Sequence, residues 1–154
     1  MKIETPFIIF EGINRVGKTT YTKAMSEELK IPVLRIPRPT CKVEAMRDPY
    51  TLYHVWLSLG KPKLMLDRFY PSQFVYHDHA FSDFNDIENL YRSVATIVYM
   101  ETSHSVVKER WAAGDIDFDY KELIARFEYF LKRTQLPVIR LCSEDGINYE
   151  KITL

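Results

Sequence analysis

The sequence predicts a three-layer α/β domain, a five-stranded parallel β-sheet with helices on both faces. Three observations predict it. Short apolar runs recur at Phe7–Phe10, Val33–Ile36, Leu64–Leu66, Thr96–Met100 and Val138–Leu141. These runs are mostly continuous rather than alternating, as expected of strands buried on both faces. Helical spacing fills the intervals, and strand–helix alternation is how parallel strands are connected.

Taken in order, the first strand runs into a short loop, and helical spacing begins at Lys18 and continues to Leu29. After the second strand, residues 41–60 are expected to be helical with loops. The third strand ends in Asp67-Arg68, and residues 70–92 again read as helical with loops. Beyond the fourth strand, Ser103–Trp111 reads as a short helix with Ser103 at its N-cap, where a hydroxyl accepts a free backbone N–H. Tyr120–Lys132 places Leu123, Ile124, Phe127, Phe130 and Leu131 on one helical face. The fifth strand follows. No repeat, low-complexity segment or linker interrupts the pattern, so residues 1–154 are expected to form one domain with nothing preceding it.

At 154 residues and 46% hydrophobic content, the chain has the material for a real core. Basic and acidic residues balance at 21 each, which argues against a long nucleic-acid track. Cys41 and Cys142 fit no metal spacing and are expected to be reduced thiols of a cytoplasmic protein. No signal peptide is apparent, and no apolar run approaches the roughly 20 residues of a membrane span.

The chain has only 5 Gly, yet two of them stand five positions apart in 8-IIFEGINRVGKTTYTKAM-25. Gly12-Ile-Asn-Arg-Val-Gly17-Lys18-Thr19 satisfies G-x-x-x-x-G-K-[ST], the phosphate-binding P-loop. Glycines let backbone N–H groups turn inward around an anion, a lysine reaches the β/γ-phosphates, and a hydroxyl serves Mg²⁺. The loop lies between a strand and a helix, as the motif requires, and the helix points its positive end at the phosphates. Gly12, Asn14, Arg15, Val16, Gly17, Lys18, Thr19 and Thr20 are therefore expected to hold ATP, with Mg²⁺ at Thr19.

A second stretch, 64-LMLDRFYPSQFVY-76, ends a strand in Asp67-Arg68, where α/β sheets present residues to a ligand crevice. Asp67 would hold Mg²⁺, partly through water, and Arg68 would clamp a phosphoryl group. The structural alternative is a surface ion pair at a strand end.

Together, FEG-x-N-R-x-GKTT and LDRFYPSQFVY resemble the thymidylate kinase family, whose pattern is FEG-x-D-x-x-GK[ST] followed by DRY and a helix. Arg35-Ile-Pro37-Arg38-Pro39-Thr40 is similar to that family's arginine–phenylalanine–proline segment. Val106-Val-Lys-Glu-Arg110 is similar to its arginine-bearing helix, and Val138–Leu141 with Cys142-Ser143 to its last strand and adenine-side loop. The resemblance implies a P-loop NTPase fold and transfer of the ATP γ-phosphoryl to a nucleotide. It places Arg110 against the adenine and Arg35 near the acceptor phosphate, with Asn14, Arg68 and Tyr76 also on the acceptor. It makes Arg15 the catalytic arginine, since the lid, 112-AAGDIDFDY-120, offers Asp117 where another branch of the family keeps an arginine. The expected catalytic set is Lys18, Arg15, Arg68, Asp67 and Glu11.

This chain departs from the family pattern in several places. Asn14 replaces an aspartate, and His77 falls where a glutamine often stands. Residues 41–63 form a short acceptor segment in which Tyr50, Tyr53 and Trp56 offer base stacking, against the commoner reading of core packing. Glu11 is either a general base or an ion-pair partner of Arg68 or Lys18. His77-Asp78-His79 lacks a third metal ligand at sensible spacing. The acidic run Asp115, Asp117, Asp119 reads as a solvated flap.

The first expectation is an ATP·Mg²⁺-dependent kinase for a deoxynucleoside monophosphate, with the acceptor region at about 37–63 and 70–92. The alternatives are a hydroxyl acceptor, on a nucleoside or a polynucleotide, and an ATP-gated switch with little turnover. The expected partner is a small-molecule nucleotide acceptor, with a homodimer left open. No membrane is expected, nor any nucleic acid except as substrate.

Overall fold

The computed structural model describes residues 2–77, 79–110 and 120–145. Its five strands are β1 (Phe7–Glu11), β2 (Val33–Leu34), β3 (Leu64–Asp67), β4 (Ala95–Glu101) and β5 (Val138–Cys142). All pair in parallel, in the order β2–β3–β1–β4–β5. Strand β1 therefore lies at the centre, and all five of its residues are buried. Its register sets Phe10 beside Asp67 of β3 and Glu11 beside Tyr99 of β4. The carboxyl ends of β1 and β3 thus open into one crevice, flanked by the strands between which the chain order reverses.

The helices are α1 (Lys18–Leu29), α2 (Lys42–Ser58), α3 (Tyr70–Tyr76), α4 (Asn85–Tyr91), α5 (His104–Arg110) and α6 (Tyr120–Leu131). Helix α1 has the bounds its periodicity predicts. It starts after Gly17 and stops at Lys30, both with left-handed backbones. Strand β2 is shorter than expected. It is an edge strand bonded only to β3, and its register, with Leu34 beside Leu66, sets Ile36 level with Arg68, past the end of β3.

Within residues 41–60 the helical part is one unbroken helix, α2, with Leu59 and Gly60 turning out of it at its end. Pro49 lies inside α2 and is buried, and its carbonyl accepts Tyr91 Oη–H at 2.7 Å. Residues 70–92 divide into α3, a 3₁₀ turn at Phe81–Phe84 and α4. Ser103 stands just ahead of α5, its hydroxyl 3.1 Å from Ser105 Oγ; Trp111 lies outside the described residues.

Tyr53 and Trp56 belong to the core and not to a stacking platform. Trp56 is 2% exposed, its ring lies 4.7 Å from Phe7, and its Nε1 donates to Pro62 O. Tyr53 packs on Trp56 and Tyr91. Cys41 and Cys142 are free and exposed. Among the described residues no helix is long and apolar enough to cross a membrane.

Candidate active site

The loop between β1 and α1 takes its shape from two glycines. Gly12 has φ 141°, and a Cβ there would meet Met100 O at 2.5 Å, a backbone atom that cannot give way. Gly17 has φ 96° and caps α1. Arg15 also has a left-handed backbone, at φ 66°. Such a turn aims successive N–H groups at one anionic centre.

Lys18 crosses the loop, and its Nζ donates to Gly12 O at 2.8 Å and Ile13 O at 2.6 Å. Burial pushes this ammonium well below the usual lysine range. Arg68 and Arg35 push it the same way, against the opposing pull of Glu11 and Asp67. A buried cation crowded by other cations binds an anion readily, because the anion relieves both desolvation and repulsion.

Thr19 Oγ1 donates to Asp67 Oδ2 at 3.0 Å. A hydroxyl and a carboxylate at this separation fit Mg²⁺, which takes few protein oxygens and leaves its other positions to phosphates and water. Asp67 is thus not half of a surface ion pair; it is 4% exposed. Among the described residues no group of three or more His, Cys, Asp or Glu is placed to hold a metal. Of the His77-Asp78-His79 fragment, Asp78 lies outside the described residues.

Arg68 adopts φ 73°, unusual for a side chain of its size. Its guanidinium donates to Asn14 Oδ1 in the P-loop and to Ser72 Oγ at 3.1 Å. Its Cζ stands 5.2 Å from the Tyr76 ring centre. Burial raises the Tyr76 phenol above its ordinary range, while Arg68 opposes that rise.

Glu11 is fully buried. Its Oε1 accepts Phe69 N–H at 2.8 Å and Ser72 N–H at 3.3 Å, and its Oε2 accepts the Ser72 hydroxyl at 2.5 Å. Burial raises its carboxyl above the usual range, with Arg68, these hydrogen bonds and Lys18 pulling the other way. Neither pairing expected for Glu11 is a direct contact, because its oxygens go to the start of α3. Sequence reasoning missed Ser72, the residue joining Glu11 to Arg68; its partner is 61 positions away.

Two cavities meet over these residues. One, of about 770 Å³, is lined by Asn14 to Tyr21 with Arg35, Asp67, Arg68, Met100, Arg110 and Ser143. It is the P-loop side, and Arg110 reaches across it to donate to Arg15 O at 3.2 Å. The other, of about 440 Å³, lies over α3 and the 35–39 segment; Tyr76, Gln73, His77 and Asp48 contribute its polar wall. Asn14, Arg35, Asp67 and Arg68 line both.

The structure thus gathers nearly every expected site residue around one crevice. Glu11 lines neither cavity, and Gly12 serves by its backbone turn. Tyr50, Tyr53 and Trp56 also line neither; the aromatic wall comes from Phe69, Tyr70 and Tyr76. Burial, then Arg38 and His79, lowers the His77 imidazole below its ordinary range. The lid, with Asp115, Asp117 and Asp119, lies outside the described residues.

No family model and no curated protein matches the sequence. Solved structures match the fold. The YorR protein from Bacillus subtilis, in complex with phosphorylated GDP, superposes with a TM-score of 0.66 at 21% identity, over 90% of this chain and 86% of that one. Deoxyadenosine kinase from M. mycoides, with dCMP and dCDP bound, gives a TM-score of 0.53 at 18% identity, over 90% of this chain and 91% of that one. With the sheet order and the loop geometry, these similarities establish that the chain has the three-layer P-loop NTPase fold.

Proposed function

We propose that this protein is an ATP- and Mg²⁺-dependent kinase that transfers the γ-phosphoryl group to a deoxynucleoside monophosphate. The observation that carries the reading is the junction of the two cavities at Asn14, Arg35, Asp67 and Arg68. A donor triphosphate in the P-loop and an acceptor over α3 would bring their phosphates together there. Arg35 and Arg68 face that meeting point, with Lys18 behind them. Such a concentration of cations suits two anions that must approach against their own repulsion.

Held by Thr19 and Asp67, Mg²⁺ would neutralise charge on the transferring phosphate oxygens. Arg15, in the loop itself, is the candidate for charge that develops on the moving group. Asn14 fastens Arg68 to the loop, and Arg110 braces the loop at Arg15 O. A monophosphate acceptor is already ionised and needs no base. A hydroxyl acceptor would need one, and Glu11 spends its oxygens on α3. The two solved structures compared above hold nucleotides, in keeping with the reading.

The test is an ATP-consumption screen with the four deoxynucleosides, their monophosphates and short DNA as acceptors. Monophosphates should be phosphorylated, and the other two classes should not. Phosphorylation of nucleosides or DNA ends without monophosphates would replace this acceptor by a hydroxyl. ATP binding without turnover on any acceptor would favour a nucleotide switch.

A further inference from the structure

Helix α3 supplies Tyr70, Ser72, Gln73 and Tyr76 to the acceptor cavity, between Arg68 on one side and His77 on the other. Yet it spans seven residues, too short to hold its shape in isolation. Charged side chains from elsewhere fasten it at both ends. At its start, Glu11 accepts the Phe69 and Ser72 N–H groups and the Ser72 hydroxyl. At its end, Arg126 of α6 donates through Nη2 to Phe74 O and His77 O, each at 2.6 Å. The same guanidinium lies over the Phe74 ring, 5.5 Å from its centre. A carboxylate at a helix start and a cation at its end also match the helix dipole.

We propose that Glu11 and Arg126 are positioning residues for the reaction proposed above, holding α3 so that its side chains and Arg68 face the acceptor. This inference rests on that kinase reading. Neither residue lines either central cavity, so both act through the helix. Glu11 also acts through Ser72, whose oxygen accepts Arg68 Nη1 while its hydrogen goes to Glu11. That chain runs from Asn14 through Arg68 and Ser72 to Glu11, tying the acceptor helix to the P-loop. A general base must reach the proton it removes, and Glu11 is sealed behind Ser72.

The experiment compares wild type with Glu11→Gln, Ser72→Ala, Arg126→Met and Arg126→Lys. Each is assayed with ATP and whichever monophosphate the wild type uses best, over a range of pH. Hydrogen exchange of the 69–77 amides is followed in the same proteins without acceptor. Arg126→Met and Ser72→Ala should raise acceptor KM at least tenfold and leave ATP KM within threefold. Exchange in 69–77 should rise in Arg126→Met, and Arg126→Lys should recover part of both losses. Glu11→Gln should keep at least a tenth of kcat and the wild-type shape of the pH profile.

A kcat loss beyond a hundredfold in Glu11→Gln, with its acidic limb gone and acceptor KM unchanged, would make Glu11 the base and overturn the assignment. Unchanged KM and unchanged exchange in Arg126→Met would overturn the C-terminal half. If Glu11→Gln fails to fold, Ser72→Ala decides the N-terminal half, since it leaves the carboxylate in place. If the wild type phosphorylates no acceptor, the kinase reading fails by itself. The exchange data then decide whether Glu11 and Arg126 hold the helix.

Discussion

Thr19 Oγ1 and Asp67 Oδ2 lie 3.0 Å apart, joining the first turn of α1 to the tip of β3 across 48 positions of sequence. This contact brings the P-loop hydroxyl and the strand-end carboxylate to one point. Asp67→Asn keeps the shape and the Thr19 bond but removes the charge that Mg²⁺ needs. Apparent Mg²⁺ affinity should fall about 10–100-fold, the range seen when groups supporting a metal are altered. A magnesium titration of ATP turnover in both proteins checks it; superimposable curves would remove Asp67 from the metal site.

Arg15 separates a kinase from a nucleotide switch. An interaction made only in the transition state lowers the rate when removed and spares ground-state affinity. Arg15→Gly should therefore cut kcat steeply; arginines in related transfers are worth roughly 10³–10⁵. The fold should tolerate the change, because glycine adopts the φ of 66° found there without strain. Single-turnover rates and ATP Kd on the same two proteins decide. Equal losses in both would make Arg15 a binding residue.

Lys18 should give ATP binding a pH dependence whose sign follows from its burial. Its ammonium is held well below the ordinary lysine value of 10.5, chiefly by burial. A triphosphate favours the charged form, so the pKa is higher in the complex than in the free protein. Binding should then take up protons, and affinity should weaken as pH rises through the lowered value, by up to about tenfold per pH unit. Calorimetry in buffers of different ionisation heat measures the uptake. Lys18→Met should abolish it, and uptake that survives in Lys18→Met would assign the proton elsewhere.

How far this site was legible depended on how local its determinants are. The P-loop and α1 could be read from neighbouring residues, because the glycine turn and the helix signals lie within one stretch. Asp67-Arg68 was legible for a similar reason, as a charged pair ending an apolar strand. The acceptor wall was not. Tyr53 and Trp56 have the spacing of a stacking platform, and only the tertiary position of α2 turns them into the core. Pro49 suggests a break, yet α2 continues past it, its carbonyl tied to Tyr91 of α4. The roles of Ser72 and Glu11 arise from a contact 61 positions long, for which no local pattern exists.

A buried carboxylate away from the crevice anchors Tyr70, on the floor of the cavity proposed to take the acceptor. Glu88 is 0% exposed and accepts Tyr70 Oη–H at 2.7 Å, Thr134 Oγ1–H at 2.8 Å and Gln135 N–H at 2.6 Å. Glu88→Ala strands three donors, each costing about 1–3 kcal/mol when left unpaired. The variant should lose about 3 kcal/mol or more of stability in urea unfolding, with acceptor KM rising as Tyr70 loosens. A loss under about 1 kcal/mol would show that water replaces the carboxylate without penalty.

The central claim is that donor and acceptor phosphates meet where Asn14, Arg35, Asp67 and Arg68 line both cavities. The most direct measurement is the affinity of a molecule that fills both at once, an adenosine and a deoxynucleoside joined through a chain of five phosphates. Calorimetry with Mg²⁺ should give one molecule bound per chain, at least a hundredfold tighter than ATP alone. Most of that gain should vanish in Arg68→Ala, while ATP affinity changes far less. An affinity no better than that of ATP, or a gain that survives Arg68→Ala, would contradict the account.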